Sequence, residues 1–306
     1  MTKPEVSVVI PVSRRAGDLG RILVHVREGT GEAGDRCEVV MVVDGDQPGK
    51  LEEARRLAEQ DPSIRLLQFA RSFGEGAALR AGLLAANAPV LVTHPAYFQV
   101  EAAALPRLLR EIEAGADVAF ASRLPGRESW LNRVQRWGFN VLLRRLIGTR
   151  FRDVACGVRA LRREALEEIG VYGGFHRFLV VAAVMRGLTV REVDAAVHPE
   201  ARGARLYNLV TYLQRLLDIG NVFFLAKFTH RPLRFFGLIG AAVFVVGVGI
   251  CVWVSFERLF LGVALGERPL FLLGVLLAAL GFQTLALGLL GELITFSQAA
   301  QSKPYI

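Results

Sequence analysis

Apolar positions in the first 125 residues fall into short, nearly continuous β-branched runs separated by amphipathic stretches. Val6–Val12 is the first such run, the pattern of a strand buried on both faces. Asp18 is placed to cap a helix through about Arg27, and Glu38–Val43 is a second strand ending at Asp44-Gly45-Asp46. Leu51–Glu59 predicts a helix, Arg65–Phe69 a third strand and Gly76–Ala86 a helix of small residues. Val90–Thr93, Ala102–Ala114 and Val118–Ser122 continue as strand, helix and strand. Strands alternating with helices imply parallel βαβ units, with ligands at the C-terminal ends of the strands.

The last quarter of the chain follows a different pattern. Phe235–Phe256 and Pro269–Gly291 are uncharged apolar runs. A run of about 20 apolar residues matches the ~30 Å hydrocarbon core of a bilayer. Lys227, Arg231 and Arg234 precede the first run, Lys303 follows the second, and the loop Glu257–Arg268 is balanced in charge. The positive-inside tendency then places both termini in the cytoplasm, with a short outer hairpin. The polar start, Met1-Thr2-Lys3-Pro4-Glu5, lacks the basic-then-apolar form of a signal segment and points the same way. Gln283 is the strongly polar side chain of the second run. It can bond across the helix pair or between subunits, whereas a pore would need more polar company.

Two further stretches read as interfacial. In Leu131–Ile147, Arg133, Arg136, Asn140 and Arg144 share one helical stripe. Tyr207–Thr229 is rich in Leu, Val and Phe but broken by Gln214, Arg215, Asp218 and Lys227. Helices with basic faces and aromatic anchors lie in the headgroup layer, although core packing is the plain alternative. The implied division is a soluble domain over 1–205, an amphipathic region over 206–232 and a membrane domain over 233–306.

Charge sharpens this picture. The net charge of +8 is concentrated between Ala121 and Ala165, where eleven arginines face only Glu128, Asp153 and Glu164. Anionic headgroups or phosphorylated substrates suit such a stretch, and a solvated basic face is the bland alternative. Nucleic acid is the least favoured partner, because no stacking platform or recognition helix accompanies the charge. Cys37, Cys156 and Cys251 form no CxxC pair, which argues against a disulfide framework or a zinc site. His94 and His198 stand isolated in the sequence, with no spacing that supports a metal cluster.

Several segments, in order, resemble family-2 glycosyltransferases. They are Val6–Val12, Val43-Asp44-Gly45, Arg71-Ser72-Phe73-Gly74 before Ala77–Gly82, and Asp117–Arg123. Asp153–Arg159, His176-Arg177-Phe178 and the stretch from Gly291-Glu292-Leu293 to Lys303-Pro304-Tyr305-Ile306 continue the series. The similarity is closest to the polyprenyl-phosphate branch, which includes dolichol-phosphate mannose synthase. It implies an α/β fold: a GT-A-like, Rossmann-like cytosolic domain followed by two C-terminal transmembrane helices. It also implies transfer of a sugar, with inversion, from a nucleotide-sugar to a polyprenyl phosphate at the membrane. A homo-oligomer is compatible with the resemblance.

By that resemblance Asp44 contacts the base or ribose, Gln99 matches the residue after the metal motif, and Arg71 and Arg123 lie near the diphosphate. Asp153 is implied as base or acceptor-site organiser, its alternative being an ion pair with Arg150 or Arg152. Arg159, Arg202 and Arg205 are implied phosphate ligands on the acceptor side. For Arg159 the alternative is an ion pair with Asp153. Arg202 and Arg205 lie in the family's basic closing loop, about one residue out of spacing.

The chain departs from the family where Mg²⁺ or Mn²⁺ would bind. The Asp-x-Asp place after Val90–Thr93 reads His94-Pro95-Ala96-Tyr97-Phe98-Gln99, and the usual Tyr-Asn-Glu after the first strand reads Ser13-Arg14-Arg15. Either the protein is a non-catalytic homologue that binds lipid phosphate or regulates a partner, or arginines stand in for the metal. In the second case Arg14 and Arg15 would meet the diphosphate, since guanidinium groups bind phosphate oxygens bidentately and keep their charge.

Overall fold

The computed structural model describes residues 4–31, 36–123, 151–154, 156–169, 179–201, 232–261 and 269–301. The chain divides into two compact units, Met1–Asn208 and Leu209–Ile306.

In the first unit, β1 (Val6–Val12), β2 (Cys37–Val43), β3 (Ile64–Gln68), β4 (Val90–Thr93) and β5 (Val118–Arg123) fall where the apolar runs predict them. The helices between them are α1 (Leu19–Thr30), α2 (Pro48–Gln60), α3 (Glu75–Ala85) and α4 (Ala104–Glu113). Asp18 caps α1 as expected, accepting a bond from the Arg21 N–H at 3.0 Å. Every residue of β1 is buried, which explains why its sequence does not alternate; Ser7, its one polar residue, donates to Glu38 at 2.7 Å.

Beyond β5 come β6 (Arg159–Arg162), α5 (Arg163–Ile169), α6 (Leu179–Met185) and β7 (Val190–Ala195), none of which the sequence pattern announces. The seven-stranded order is β3-β2-β1-β4-β6-β5-β7. All pairings are parallel except those of β6, which runs antiparallel between β4 and β5. The purely parallel expectation is corrected by this one strand. Four residues carrying two arginines give no strand signal; β6 is held by its neighbours on both sides.

One apolar layer packs α1 and α4 on one face of the sheet, and a second packs α3, α5 and α6 on the other. Gly82 lets α3 approach β1 and β2 closely, because a Cβ there would overlap Val9 and meet Val42 at 3.0 Å. Since β1 to β4 are parallel, their C-terminal ends share one sheet edge. The start of antiparallel β6 joins that edge, with Arg159 opposite Thr93.

In the second unit, α7 (Pro232–Leu261) and α8 (Pro269–Gln301) contain apolar segments Leu233–Glu257 and Pro269–Ser297. Their mean hydropathies are 2.6 and 2.3, and only 11% of each segment's most apolar window is buried. Both are long and apolar enough to cross a membrane, and neither is the buried core helix of a globular domain.

Candidate active site

The C-terminal sheet edge gathers most of the residues singled out in the sequence. Asp44 follows β2 and is buried at 4% exposure. Its carboxylate accepts bonds from the Ser72 hydroxyl at 2.8 Å, the Phe73 N–H at 2.7 Å and the Gly74 N–H at 3.0 Å. Asp44 thus fixes the loop that follows β3. Gly45 makes the approach feasible: its φ is +79°, and a Cβ would stand 2.8 Å from the Ser72 Cα. Arg71, on that loop, is exposed and lies 5.0 Å from the Phe73 ring centre.

Arg14 and Arg15 form the turn after β1, and both are exposed. The Gly17 N–H donates to the Ala96 carbonyl at 2.7 Å, tying this loop to the segment after β4. Tyr97 lies in the field of Glu75, Arg15 and Arg123. Burial, then Glu75, push its phenol above the usual range, while a Gln99 bond and the two arginines pull it back.

Gln99, 7% exposed, holds the next loop. Its Oε1 accepts the Gly157 N–H at 2.8 Å and the Cys156 thiol at 3.3 Å; its Nε2 donates to the Tyr97 hydroxyl at 3.2 Å. Only glycine fits at 157, because a Cβ would stand 2.5 Å from Pro95.

Asp153 does not pair with Arg152, which instead reaches Asp194 at 3.3 Å. Arg150 lies outside the described residues. The Asp153 carboxylate takes Nε and Nη2 of Arg123 at 2.5 and 2.9 Å. Burial opposes the Arg123 charge, but the bonds and field of Asp153 reverse this, holding the guanidinium above its ordinary range. Arg123 is therefore anchored by two of its three nitrogens. Arg159 is 2% exposed and donates to the carbonyls of Cys156 at 2.8 Å and Val154 at 3.2 Å. Burial pushes its pKa down to about 10, against the Cys156 and Asp153 fields. Its guanidinium holds the Val154 and Cys156 carbonyls from inside. Arg202, Arg205 and the stretches Leu131–Ile147 and Tyr207–Thr229 lie outside the described residues.

The segment after β4 does not fit a divalent cation. Pro95 and Tyr97 offer no carboxylate, and the buried His94 ring has Nδ1 engaged by the Pro95 carbonyl at 2.7 Å. Among the described residues no three His, Cys, Asp or Glu side chains converge as ligands.

Isolation in sequence misleads for the histidines. The His25 ring centre lies 5.5 Å from that of His94 and 5.3 Å from that of His198, and His198 stacks on Phe98 at 4.1 Å. Nε2 of His25 and of His94 are buried without a bonding partner. Desolvation lowers both pKa values, that of His94 to about 4. This cluster was not legible in the sequence, because its members come from different elements.

The chain is similar to known proteins over most of its length. It is 26% identical to the dodecaprenyl-phosphate galacturonate synthase of Rhizobium johnstonii, over 99% of this chain and 91% of that one. It is also 26% identical to the undecaprenyl-phosphate 4-deoxy-4-formamido-L-arabinose transferase of Aeromonas hydrophila, over 94% and 88%. The fold resembles a glucosyl-3-phosphoglycerate synthase of Mycobacterium tuberculosis solved with Mn²⁺, UDP and phosphoglyceric acid. There the TM-score is 0.55 at 16% identity, covering 72% of this chain and 78% of that one. The family model of glycosyl transferase family 2 matches residues 7–170, more than half of the sequence. The α/β unit is accordingly a GT-A-like domain, and the chain belongs to glycosyl transferase family 2.

Proposed function

We propose that this protein transfers a sugar from a nucleotide-sugar to a polyprenyl phosphate at the cytoplasmic face of a membrane. The observation that carries the proposal is the extent of the similarity. It runs through both the α/β unit and the apolar helices, over 99% of this chain, to a relative named as a dodecaprenyl-phosphate sugar synthase. In this reading α7 and α8 anchor the protein, both termini face the cytoplasm, and the lipid acceptor reaches the site from the bilayer.

The chemistry suits the residues at the sheet edge. An oxygen of the acceptor phosphate attacks the anomeric carbon, a new C–O bond forms, and the bond to the diphosphate breaks. The nucleoside diphosphate leaves with the electron pair. The attacking phosphate is already anionic, so positioning matters more than a strong base. The leaving diphosphate needs positive charge, and Arg14, Arg15 and Arg71 are assigned to supply it. Asp153 serves as a positioning residue that aims Arg123, Arg159 braces the same loop, and Asp44 and Gln99 shape the donor pocket. Arg202 and Arg205, outside the described residues, are assigned to the acceptor phosphate by the family resemblance alone.

The test is nucleotide release by the purified full chain in detergent, with polyprenyl phosphate, a panel of nucleotide-sugars, and either Mn²⁺ or EDTA. Lipid-dependent release that survives EDTA is the expected result. Release abolished by EDTA would overturn the arginine assignment, and no release from any donor by folded protein would overturn transfer itself.

A further inference from the structure

The segment after β4 offers a divalent cation no carboxylate, yet it presents one hydrogen-bond donor at the same sheet edge. The Tyr97 hydroxyl accepts the Gln99 Nε2–H at 3.2 Å, and its ring is half-buried. A phenol oxygen that accepts one bond still has its own proton to give. Among the described residues no group accepts the Tyr97 proton, so the hydroxyl has a donor capacity that the fold itself does not use.

Two loops hold this hydroxyl in place. The Ala96 carbonyl takes the Gly17 N–H at 2.7 Å, which ties the segment to the turn carrying Arg14 and Arg15. Gln99 grips the loop before β6 through the Gly157 N–H at 2.8 Å, so the amide that steadies Tyr97 is itself steadied. Arg15 and Arg123 are near enough for their charges to act on the phenol, and Glu75, in the first turn of α3, partly offsets them. Burial and Glu75 outweigh the arginines and keep the phenol protonated at neutral pH. A fixed, neutral O–H donor beside guanidinium groups suits an anion with several acceptor oxygens.

We infer that Tyr97 contacts the sugar donor, its hydroxyl donating a hydrogen bond to a diphosphate oxygen of the nucleotide-sugar. The inference rests on the proposed transfer reaction and adds a neutral donor to the arginines assigned to the leaving group. Tyr97 lies within the stretch where the resemblance expects metal ligands, so a phenol there takes over part of what a cation would do. No proton changes hands. The anomeric C–O bond breaks with its electron pair on the diphosphate, and the Tyr97 bond strengthens as charge builds on that oxygen. Gln99 is the positioning residue that aims the hydroxyl.

The test compares the full chain in detergent with its Tyr97→Phe variant, which keeps the ring and removes only the hydroxyl. UDP, GDP, ADP, CDP and TDP are titrated calorimetrically in EDTA, and the matching nucleosides by ligand-observed NMR. Tyr97→Phe should bind the preferred diphosphate about tenfold more weakly, the effect of one hydrogen bond to a charged group. Its affinity for the nucleoside and its melting midpoint should match the parent's. A merely structural role would weaken both ligands alike. Equal diphosphate affinity in parent and variant, or an equal loss for diphosphate and nucleoside, would overturn the inference and leave the transfer reading standing. A folded parent that binds none of the diphosphates would overturn both.

Discussion

Arg123 and Asp153, thirty residues apart in sequence, are joined by a fork of two hydrogen bonds at 2.5 and 2.9 Å. The pair ties the end of β5 to the loop before β6, at the sheet edge where the proposed reaction occurs. Asp153→Asn should lower transfer by about a hundredfold through misplacement of Arg123, chiefly in kcat. Arg123→Lys should fail to compensate in the wild-type background, because an ammonium cannot reproduce the fork. The stability cost should be only about 1–2 kcal/mol, since the Arg123 side chain is 36% exposed. Steady-state kinetics of both variants, with a thermal melt of each, checks this; full activity in Asp153→Asn would remove the positioning role.

Arg14 and Arg15 are exposed and make no side-chain bonds among the described residues, so replacing them should leave the fold intact. The double change to Ala should weaken nucleotide-sugar binding by about a hundredfold, the effect of losing two charge-assisted contacts. Calorimetric titration of the donor decides it. Unchanged affinity would separate these arginines from the diphosphate.

Buried His25 and His94 predict a stability that depends on pH. Their native pKa values lie below 6.5, that of His94 at about 4, so between those values the unfolded chain binds protons that the native state does not. Stability therefore rises with pH across this window and is lost as pH falls through it, by up to about 1.4 kcal/mol per pH unit for each group. The melting midpoint of the α/β unit within the full chain should drop between pH 6.5 and 4.5. His94→Gln should flatten the profile, and a profile equally steep in that variant would contradict the assignment.

Asp44 has a structural task that is separable from donor contact. Asp44→Ala would strand the Ser72 hydroxyl and the N–H groups of Phe73 and Gly74, and should cost about 2–4 kcal/mol. Denaturant unfolding, with hydrogen exchange on residues 72–74, reads this directly. If the loop's protection is unaltered, Asp44 is not its anchor.

The sequence alone determined the elements that bury one kind of surface. A strand covered on both faces is apolar at nearly every position, so β1 and β4 could be read to the residue and β2 to within one residue of its start. The paired apolar helices could be read too, because an uncharged run long enough to cross a bilayer stands out in the sequence. The candidate site residues Asp44 and Gln99 were singled out by resemblance to a family and not by pattern.

Tertiary structure alone decided what depends on partners from distant elements. β6 is a strand because β4 and β5 flank it, a condition that four residues of sequence cannot express. Asp153 chose Arg123 over the adjacent Arg152 because chain folding, and not sequence distance, sets which guanidinium arrives in fork geometry. Three histidines far apart in the chain became neighbours through α1, the end of β4 and the segment after β7.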